Sequence, residues 1–152
     1  MEFKNIYHQY NQQIYRLCLG YTNDDAWAKD ILQDTFIAVW KNLPKFRGDA
    51  NVGTWIFRIA VNNCLKQLKK QSKEKTSEIN MEIKAPEVEV NPRIVKLRKL
   101  IAALPEVDRL IISMELEEVP QAEIAEVLGM SNGNVRVRIH RIKETLTKKF
   151  KT

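Results

Sequence analysis

The sequence predicts an all-α protein that consists of two small helical domains joined by a flexible linker. Apolar residues recur at steps of three and four along most of the chain, which is the spacing of an amphipathic helix. The chain has only 5 glycines and is rich in Leu, Ile, Ala, Lys and Glu, a composition that favours helix over sheet. All 3 tryptophans precede residue 71, so the two halves differ in composition. We therefore expect a three-helix domain over residues 1–71 (the first block), a linker over residues 72–92, and a four-helix domain over residues 93–152 (the second block).

The first block is predicted to contain three amphipathic helices. Apolar positions at helical spacing place them at about residues 6–21, 24–43 and 55–71. Trp40 and Trp55 fall within these patterns, and we expect both to lie in the core. A polar, glycine-containing loop, FRGDANVG, precedes the third helix.

The segment between the blocks is polar. Residues 72–92 mix Lys, Glu, Ser and Asn with Pro86 and Pro92 and contain few large apolar side chains. Such a segment cannot bury enough apolar surface to offset the entropy that it would lose on ordering. We therefore expect a flexible linker.

The second block ends in the pattern of a helix-turn-helix. A short apolar pattern with Ile124 and Leu128 is followed by Gly129, which suits the left-handed conformation at a helix end. Ser131 can cap the next helix, because its hydroxyl can accept a hydrogen bond from a free backbone N–H group. In that helix one apolar stripe is formed by Val135, Ile139, Ile142 and Leu146.

The net charge of +6 is concentrated in this last helix. After Ser131 a single acid, Glu144, stands against these basic residues: Arg136, Arg138, Arg141, Lys143, Lys148, Lys149 and Lys151. Residues 105–126 are strongly acidic instead. A helix that is basic opposite its apolar stripe can enter the major groove, which is about 12 Å wide, and contact phosphates. The alternative is a solvated surface helix whose terminal lysines favour the helix dipole.

Enzymatic and metal-binding classes find no support in the sequence. It contains no phosphate-binding glycine loop, no HExxH motif, and no Ser or Cys with a plausible His partner. Cys18 and Cys64 lie in apolar helical patterns and are expected to be reduced core thiols, as in a cytoplasmic protein. No apolar run approaches the roughly 20 residues that cross a bilayer. We expect a protein that is not an enzyme and has no metal, cofactor or small-molecule substrate.

Two further clusters in the first block are candidates for binding. Asp30 and Asp34 lie one helical turn apart with Gln33 between them, and they form a solvated face, a protein-docking face or an acid–base pair. Aromatic and basic residues surround the FRGDANVG loop. This mixture suits the binding of unpaired nucleic-acid bases, because aromatic rings stack on bases while cations bind the phosphate backbone. Asn62 and Asn63 lie mid-helix, and we expect one to make a buried polar contact and the other to face DNA.

Both blocks resemble one family, the extracytoplasmic-function (ECF) subgroup of bacterial sigma-70 factors. The residues similar to the family's region 2 are DDAWAKDILQDTFIAVWKNLPKFRGDANVGTWIFRIAVNNCLKQLKK. Those similar to its region 4 are ALPEVDRLIISMELEEVPQAEIAEVLGMSNGNVRVRIHRIKETL. Two matched blocks in the family's order are far more specific than a lone helix-turn-helix.

The resemblance implies a cytoplasmic promoter-specificity subunit of RNA polymerase. Its partners would be promoter DNA, the clamp region of the largest catalytic subunit, the flap region (with the second block), and an anti-sigma factor. The residues implied in polymerase binding are Asp30, Gln33 and Asp34. Those implied at the −10 element are Phe46, Arg47, Asp49, Arg58 and Asn62. Those implied at the −35 element are Ser131, Asn134, Arg136, Val137, Arg138, His140, Arg141 and Lys143.

Two other functions remain open from the residues alone. The chain could be a stand-alone repressor or activator whose first block dimerises or binds an effector, which predicts a palindromic site bound without polymerase. It could instead be an interaction protein whose basic tail contacts an acidic partner.

Overall fold

The protein is described by a computed structural model that covers residues 2–48, 51–74 and 91–152. In the first block α1 is Phe3–Thr22, α2 is Asp25–Asn42 and α3 is Val52–Glu74, with a short 3-10 turn at Leu43–Lys45. In the second block α4 is Pro92–Ala102, α5 is Glu106–Leu116, α6 is Gln121–Leu128 and α7 is Asn132–Lys151. The described residues form no strand, which confirms the all-α class. None of these helices is both long and apolar enough to span a membrane.

Local side-chain chemistry sets several helix boundaries. Asp24 caps α2, its carboxylate accepting the backbone N–H of Trp27 at 3.0 Å. Asn91 caps α4 in the same way, and Pro92 takes the first helical position, where its missing N–H costs nothing. Helix α3 continues to Glu74, beyond the expected end of the first block, because lysine, glutamine and glutamate are good helix formers. The rest of the expected linker, residues 75–90, lies outside the described residues.

The core of the first block is the shared apolar surface of α1, α2 and α3. Leu17, Ile31 and Ile56 have no exposed surface. This core also contains one pair of polar side chains, Asn63 and Thr35. The Asn63 amide donates a hydrogen bond to the buried Thr35 hydroxyl at 3.3 Å, and that hydroxyl donates to the Ile31 carbonyl. The expected buried contact of an asparagine in α3 is thereby confirmed.

The expectation for Trp40 is wrong, since 60% of its surface is exposed. Val39 occupies the core-facing position of α2 with no exposed surface, and the next residue along a helix is turned by about 100°. Trp55 is partly buried and packs against the core.

The four residues of the α7 stripe are all buried, as predicted. They pack among α4, α5 and α6, where Leu110 and Ile111 have no exposed surface. The second block therefore has its own apolar core, and the opposite face of α7 is left to solvent.

The two blocks also pack against each other. Helix α1 contacts α4 and α5, and α3 contacts α6. Sequence reasoning treated the blocks as separate, and it did not anticipate these contacts.

The two cysteines are buried and unoxidised. A hydrogen bond with Cys64, together with burial, raises the pKa of the Cys18 thiol well above its usual range. Both are core thiols, as expected, although they lie on different helices of the first block.

The packing predicts unequal effects of two leucine substitutions in α5. Leu110 has no exposed surface, whereas Leu116 is 54% exposed. Leu110→Ala leaves a cavity and should lower the free energy of unfolding by about 2–5 kcal/mol. Leu116→Ala, the control, should change it by about 0.5 kcal/mol or less. Urea denaturation followed by circular dichroism measures both, and equal losses would contradict the described core.

Candidate DNA and protein interfaces

The polar face of α2 is exposed to solvent. Asp30, Gln33 and Asp34 all lie on the exposed side of the helix, opposite the buried Ile31 and Thr35. The structure therefore brings the three predicted docking residues together on one surface. No metal-like grouping accompanies them, since no three His, Cys, Asp or Glu side chains among the described residues are placed to hold an ion.

An apolar groove lies beside this polar face. Its volume is about 600 Å³, and Gln33 and Lys29 line it together with apolar and aromatic residues of α1 and α2: Phe3, Tyr7, Leu32, Phe36, Ile37 and Trp40. Tyr7, Ile37 and Trp40 are among the exposed large apolar residues of the chain. Sequence reasoning missed the groove because it assigned Trp40 to the core. The signal available was the run of apolar residues Phe36, Ile37, Val39 and Trp40, which is too wide for one buried stripe.

A second cavity, of about 430 Å³, lies between the end of α2 and the start of α3. Phe46 and Trp55 stack along one side, with ring centroids 4.7 Å apart and an interplanar angle of 28°. The cations of Lys45, Arg47 and Arg58 line the same cavity. Aromatic faces beside guanidinium groups can stack a base and hold a phosphate.

Of the five predicted −10 residues, the structure places Phe46, Arg47 and Arg58 around this cavity. Asn62 is exposed one helical turn beyond Arg58, on the same side of α3. Asp49 lies outside the described residues.

The turn between α6 and α7 has the predicted chemistry. Gly129 adopts a left-handed conformation with φ of 66°, and the next residue, Met130, donates its N–H to the Ala125 carbonyl at 2.9 Å. Ser131 caps α7, its hydroxyl accepting the N–H of Asn134 at 3.1 Å. These contacts fix the start of α7 relative to α6.

The face of α7 that the core leaves free is basic. Arg136, Val137, His140 and Arg141 are all exposed, and their spacing places them on one side of the helix. The imidazole of His140 lies 3.6 Å from the Glu144 carboxylate, a pair that is ionic only when the histidine is protonated. This face has the shape and charge of a helix that enters a DNA groove.

Two predicted −35 residues point to protein instead. Arg138 lies 3.3 Å from Asp108, and Lys143 lies 2.8 Å from Glu115. Both acids belong to α5, so these pairs hold the basic helix against its neighbour. The charge inversion between residues 105–126 and α7 was the signal in the sequence that could have predicted them.

Cationic and acidic groups also meet between the two blocks. Arg16 in α1 donates from two nitrogens to the two carboxylate oxygens of Glu117, each at 2.7 Å. This hydrogen bonding raises the pKa of the Arg16 guanidinium. Arg109 in α5 donates to the Tyr21 carbonyl at 3.1 Å and lies over the Tyr21 ring.

In a comparison with known proteins, both blocks match models of the same protein family. Residues 6–74 match the family model of Sigma-70 region 2, and residues 94–146 match that of Sigma-70 region 4. The chain is 29% identical to the ECF RNA polymerase sigma factor SigW of Bacillus subtilis, over 98% of this chain and 89% of the relative. It is 30% identical to the RNA polymerase sigma factor YlaC of the same organism, over 95% of this chain and 90% of the relative.

A solved structure has the same fold over nearly the whole chain. It is the sigma factor RpoE in complex with the anti-sigma factor NepR from Bartonella quintana. Its TM-score is 0.85 at 18% identity, over 99% of this chain and 97% of the other. The two family matches, the relatives and the fold all support one assignment. The chain belongs to the sigma-70 family and is an RNA polymerase sigma factor of the ECF subgroup, which acts in transcription initiation.

Proposed function

We propose that this sigma factor docks on core polymerase through α2 and reads the promoter at two elements, with the Phe46–Trp55 cavity at −10 and the exposed face of α7 at −35. The observation that carries the proposal is the presence, in one chain, of two separate cationic surfaces suited to DNA. The protein is a dissociable, non-enzymatic subunit that acts in the cytoplasm. It needs no cofactor.

The proposed docking surface combines charge with apolar area. Asp30, Gln33 and Asp34 supply acidic and amide groups, and the adjacent groove exposes Ile37 and Trp40. Protein interfaces have this composition of an apolar centre with a polar rim. The complementary partner is a helical surface with basic residues around an apolar side chain, and we assign it to the clamp of the largest catalytic subunit. The flap region would receive the second block.

At the −10 element the cavity would capture an unpaired base. Unstacking costs about 1.4 kcal/mol per base-pair step. Stacking on an aromatic side chain returns roughly 1–3 kcal/mol per base. One aromatic platform therefore cannot offset the opening of several steps, so DNA opening needs the polymerase as well. Asn62 and Arg58 would contact the adjacent DNA, and Asp49 remains a candidate.

At the −35 element α7 would lie in the major groove. Arg136, Val137, His140 and Arg141 face outward and would reach base edges, while Ser131 and Asn134 lie at the start of the helix and would contact phosphates. Arg138 and Lys143 are held by acids of α5, so we assign them mainly to positioning.

We also propose an anti-sigma factor as a regulator. The related fold was solved for a sigma factor in complex with such a partner. The exposed aromatic groove on α2 and the junction of the two blocks are surfaces that a regulator could cover.

The proposed function is tested by gel shift on promoter DNA with and without core polymerase. A polymerase subunit should give a specific complex only when core polymerase is present. Tight binding of a palindromic site by the protein alone would instead favour a stand-alone regulator.

Substitutions on α2 should weaken polymerase binding. Asp34→Arg reverses a charge in the docking face, and Gln33→Ala removes an amide that borders the groove. Each should lower affinity for core polymerase in a fluorescence anisotropy titration, and the pair should do so by at least tenfold. Glu118→Arg, in the exposed turn after α5, is the matched charge reversal and should leave the affinity unchanged. Unchanged binding by Asp34→Arg and Gln33→Ala would refute this docking assignment.

Loss of the aromatic platform should weaken single-strand binding. Trp55→Ala removes one ring of the stacked pair and should cost about 1–3 kcal/mol in affinity for a single-stranded −10 oligonucleotide. Trp55→Phe keeps a ring and should retain most of the affinity. Thermal unfolding of both variants separates loss of stacking from loss of fold. If both variants bind as the parent does, the cavity does not hold a base.

Two cations of α7 should behave differently on duplex DNA. Arg136→Ala should relax base preference at one −35 position by about 1–3 kcal/mol, because an arginine that reaches a base edge carries specificity. Lys148→Ala should weaken every sequence alike and lower the salt slope of binding by about one, because a lysine at the end of α7 would contact phosphate and not bases. Competition binding by the complex of this protein with core polymerase, at several salt concentrations, measures both effects. An unchanged base preference in Arg136→Ala together with an unchanged salt slope in Lys148→Ala would contradict DNA contact by α7.

A further inference from the structure

The free face of α7 has an apolar residue at its centre. Val137 is 47% exposed, and no other large apolar side chain among the described residues of α7 is exposed to this extent. Two positions away in each direction, about 200° around the helix axis, lie the buried Val135 and Ile139. The side chain of Val137 therefore points away from the core of the second block.

Positive charge surrounds this valine. Arg136 precedes it, His140 and Arg141 lie one turn further on the same face, and all three are exposed. The single acid of the helix, Glu144, lies about two turns beyond Val137. The surface is thus an apolar centre between cations. A major groove offers the complementary arrangement, with base edges along its floor and phosphates along its walls.

A glycine lies on the same line of the helix. Gly133 is in the first turn of α7, one turn before Val137. A Cβ atom placed on it would meet nothing nearer than the Arg136 guanidinium, at 4.0 Å. The packing of the described residues therefore does not require glycine here, although glycine weakens a helix relative to alanine. A missing side chain on the outer face allows the backbone to approach a ligand closely.

The floor of the major groove restricts what a valine can contact. Most groups there are hydrogen-bond donors or acceptors, and the 5-methyl group of thymine is the apolar one. Valine has no side-chain donor or acceptor, so a polar base atom that it covered would lose water without a replacement. Contact with a thymine methyl group carries no such cost.

We propose that Val137 is a specificity-determining residue that recognises one thymine of the −35 element through its 5-methyl group. The inference rests on the proposed −35 contact of α7, and it adds the identity of one base. Gly133 lets the helix approach the groove floor closely enough for this contact. Arg136, His140 and Arg141 hold the helix in place from both sides.

Replacement of thymine by uracil tests the contact, because uracil lacks the methyl group and keeps the same hydrogen-bonding edge. The complex of this protein with core polymerase first selects its preferred duplexes from a randomised library. Each thymine of the selected upstream element, on either strand, is then replaced singly by uracil, and affinity is measured by fluorescence anisotropy. At one thymine the affinity should fall roughly three- to fivefold, which corresponds to one buried CH₂ group.

A substitution of Val137 should remove this preference. Val137→Ser deletes the apolar contact at an exposed position, and serine and valine have similar helix propensities. The variant should bind the thymine and uracil duplexes equally, so that the methyl group and the side chain are energetically coupled. Thr147→Ser is the matched control, since it removes a methyl group from another exposed β-branched residue about 15 Å further along α7. It should keep the preference of the unmodified protein.

Gly133→Ala tests the close approach. It should not lower the midpoint of thermal unfolding, because alanine is the better helix former. It should nevertheless lose affinity for the thymine and uracil duplexes alike, because its methyl group separates α7 from the groove floor. Thermal unfolding followed by circular dichroism is measured for every variant. Unchanged DNA affinity in Gly133→Ala would overturn the close approach.

The outcomes separate two failures. A uracil effect that persists in Val137→Ser would assign the methyl group to another residue and overturn this inference alone. The same holds for a selected upstream element that contains no thymine, or in which every thymine tolerates uracil. If the complex selects no upstream element that depends on this protein, the proposed −35 contact is wrong, and this inference falls with it.

Discussion

Complementary charge between the acidic segment formed by α5, the turn after it and α6, and the basic residues around that segment, organises this molecule. On one side Asp108 and Glu115 pair with Arg138 and Lys143 of the terminal helix. On the other side Glu117 and Glu126 pair with Arg16 and Arg58 of the first block. Each of these partly exposed pairs contributes only about 0.2–1 kcal/mol. The apolar cores supply the stability, and the charges decide which surfaces meet.

The same arrangement divides the cations of α7 into two groups. Arg138 and Lys143 are partly neutralised by α5, so their main effect is to orient the helix. Arg136 and Arg141 are exposed, and the exposed His140 lies 3.6 Å from the Glu144 carboxylate. In the proposed −35 contact, Arg136, His140 and Arg141 would lie nearest the bases, and the exposed lysines at the end of the helix, Lys148, Lys149 and Lys151, would lie nearest the phosphates. A helix with every cation unpaired would bind phosphates more tightly but with less preference for sequence.

Local patterns predicted the helices well because each is specified within a few residues. The buried stripe of α7, the Ser131 cap and the left-handed Gly129 follow from spacing and residue type alone. Trp40 could not be placed this way, since an aromatic residue beside a core position looks the same whether it is buried or left for a partner. Of the candidate −10 residues, Phe46, Arg47 and Arg58 lie around one cavity, but the contact of Arg58 with Glu126 was not foreseen. Arg16 and Glu117 are 101 residues apart, and no local pattern links them.

The most direct measurement is sequencing of the transcript start sites made by core polymerase with and without this protein on genomic DNA. A subunit that reads two promoter elements predicts a new set of starts that appears only with the protein and shares two conserved sequences at a fixed separation upstream. Alanine at Arg136 should alter the preferred upstream sequence and leave the downstream one unchanged. No protein-dependent start, or starts that share a single palindrome, would contradict a two-element promoter reader.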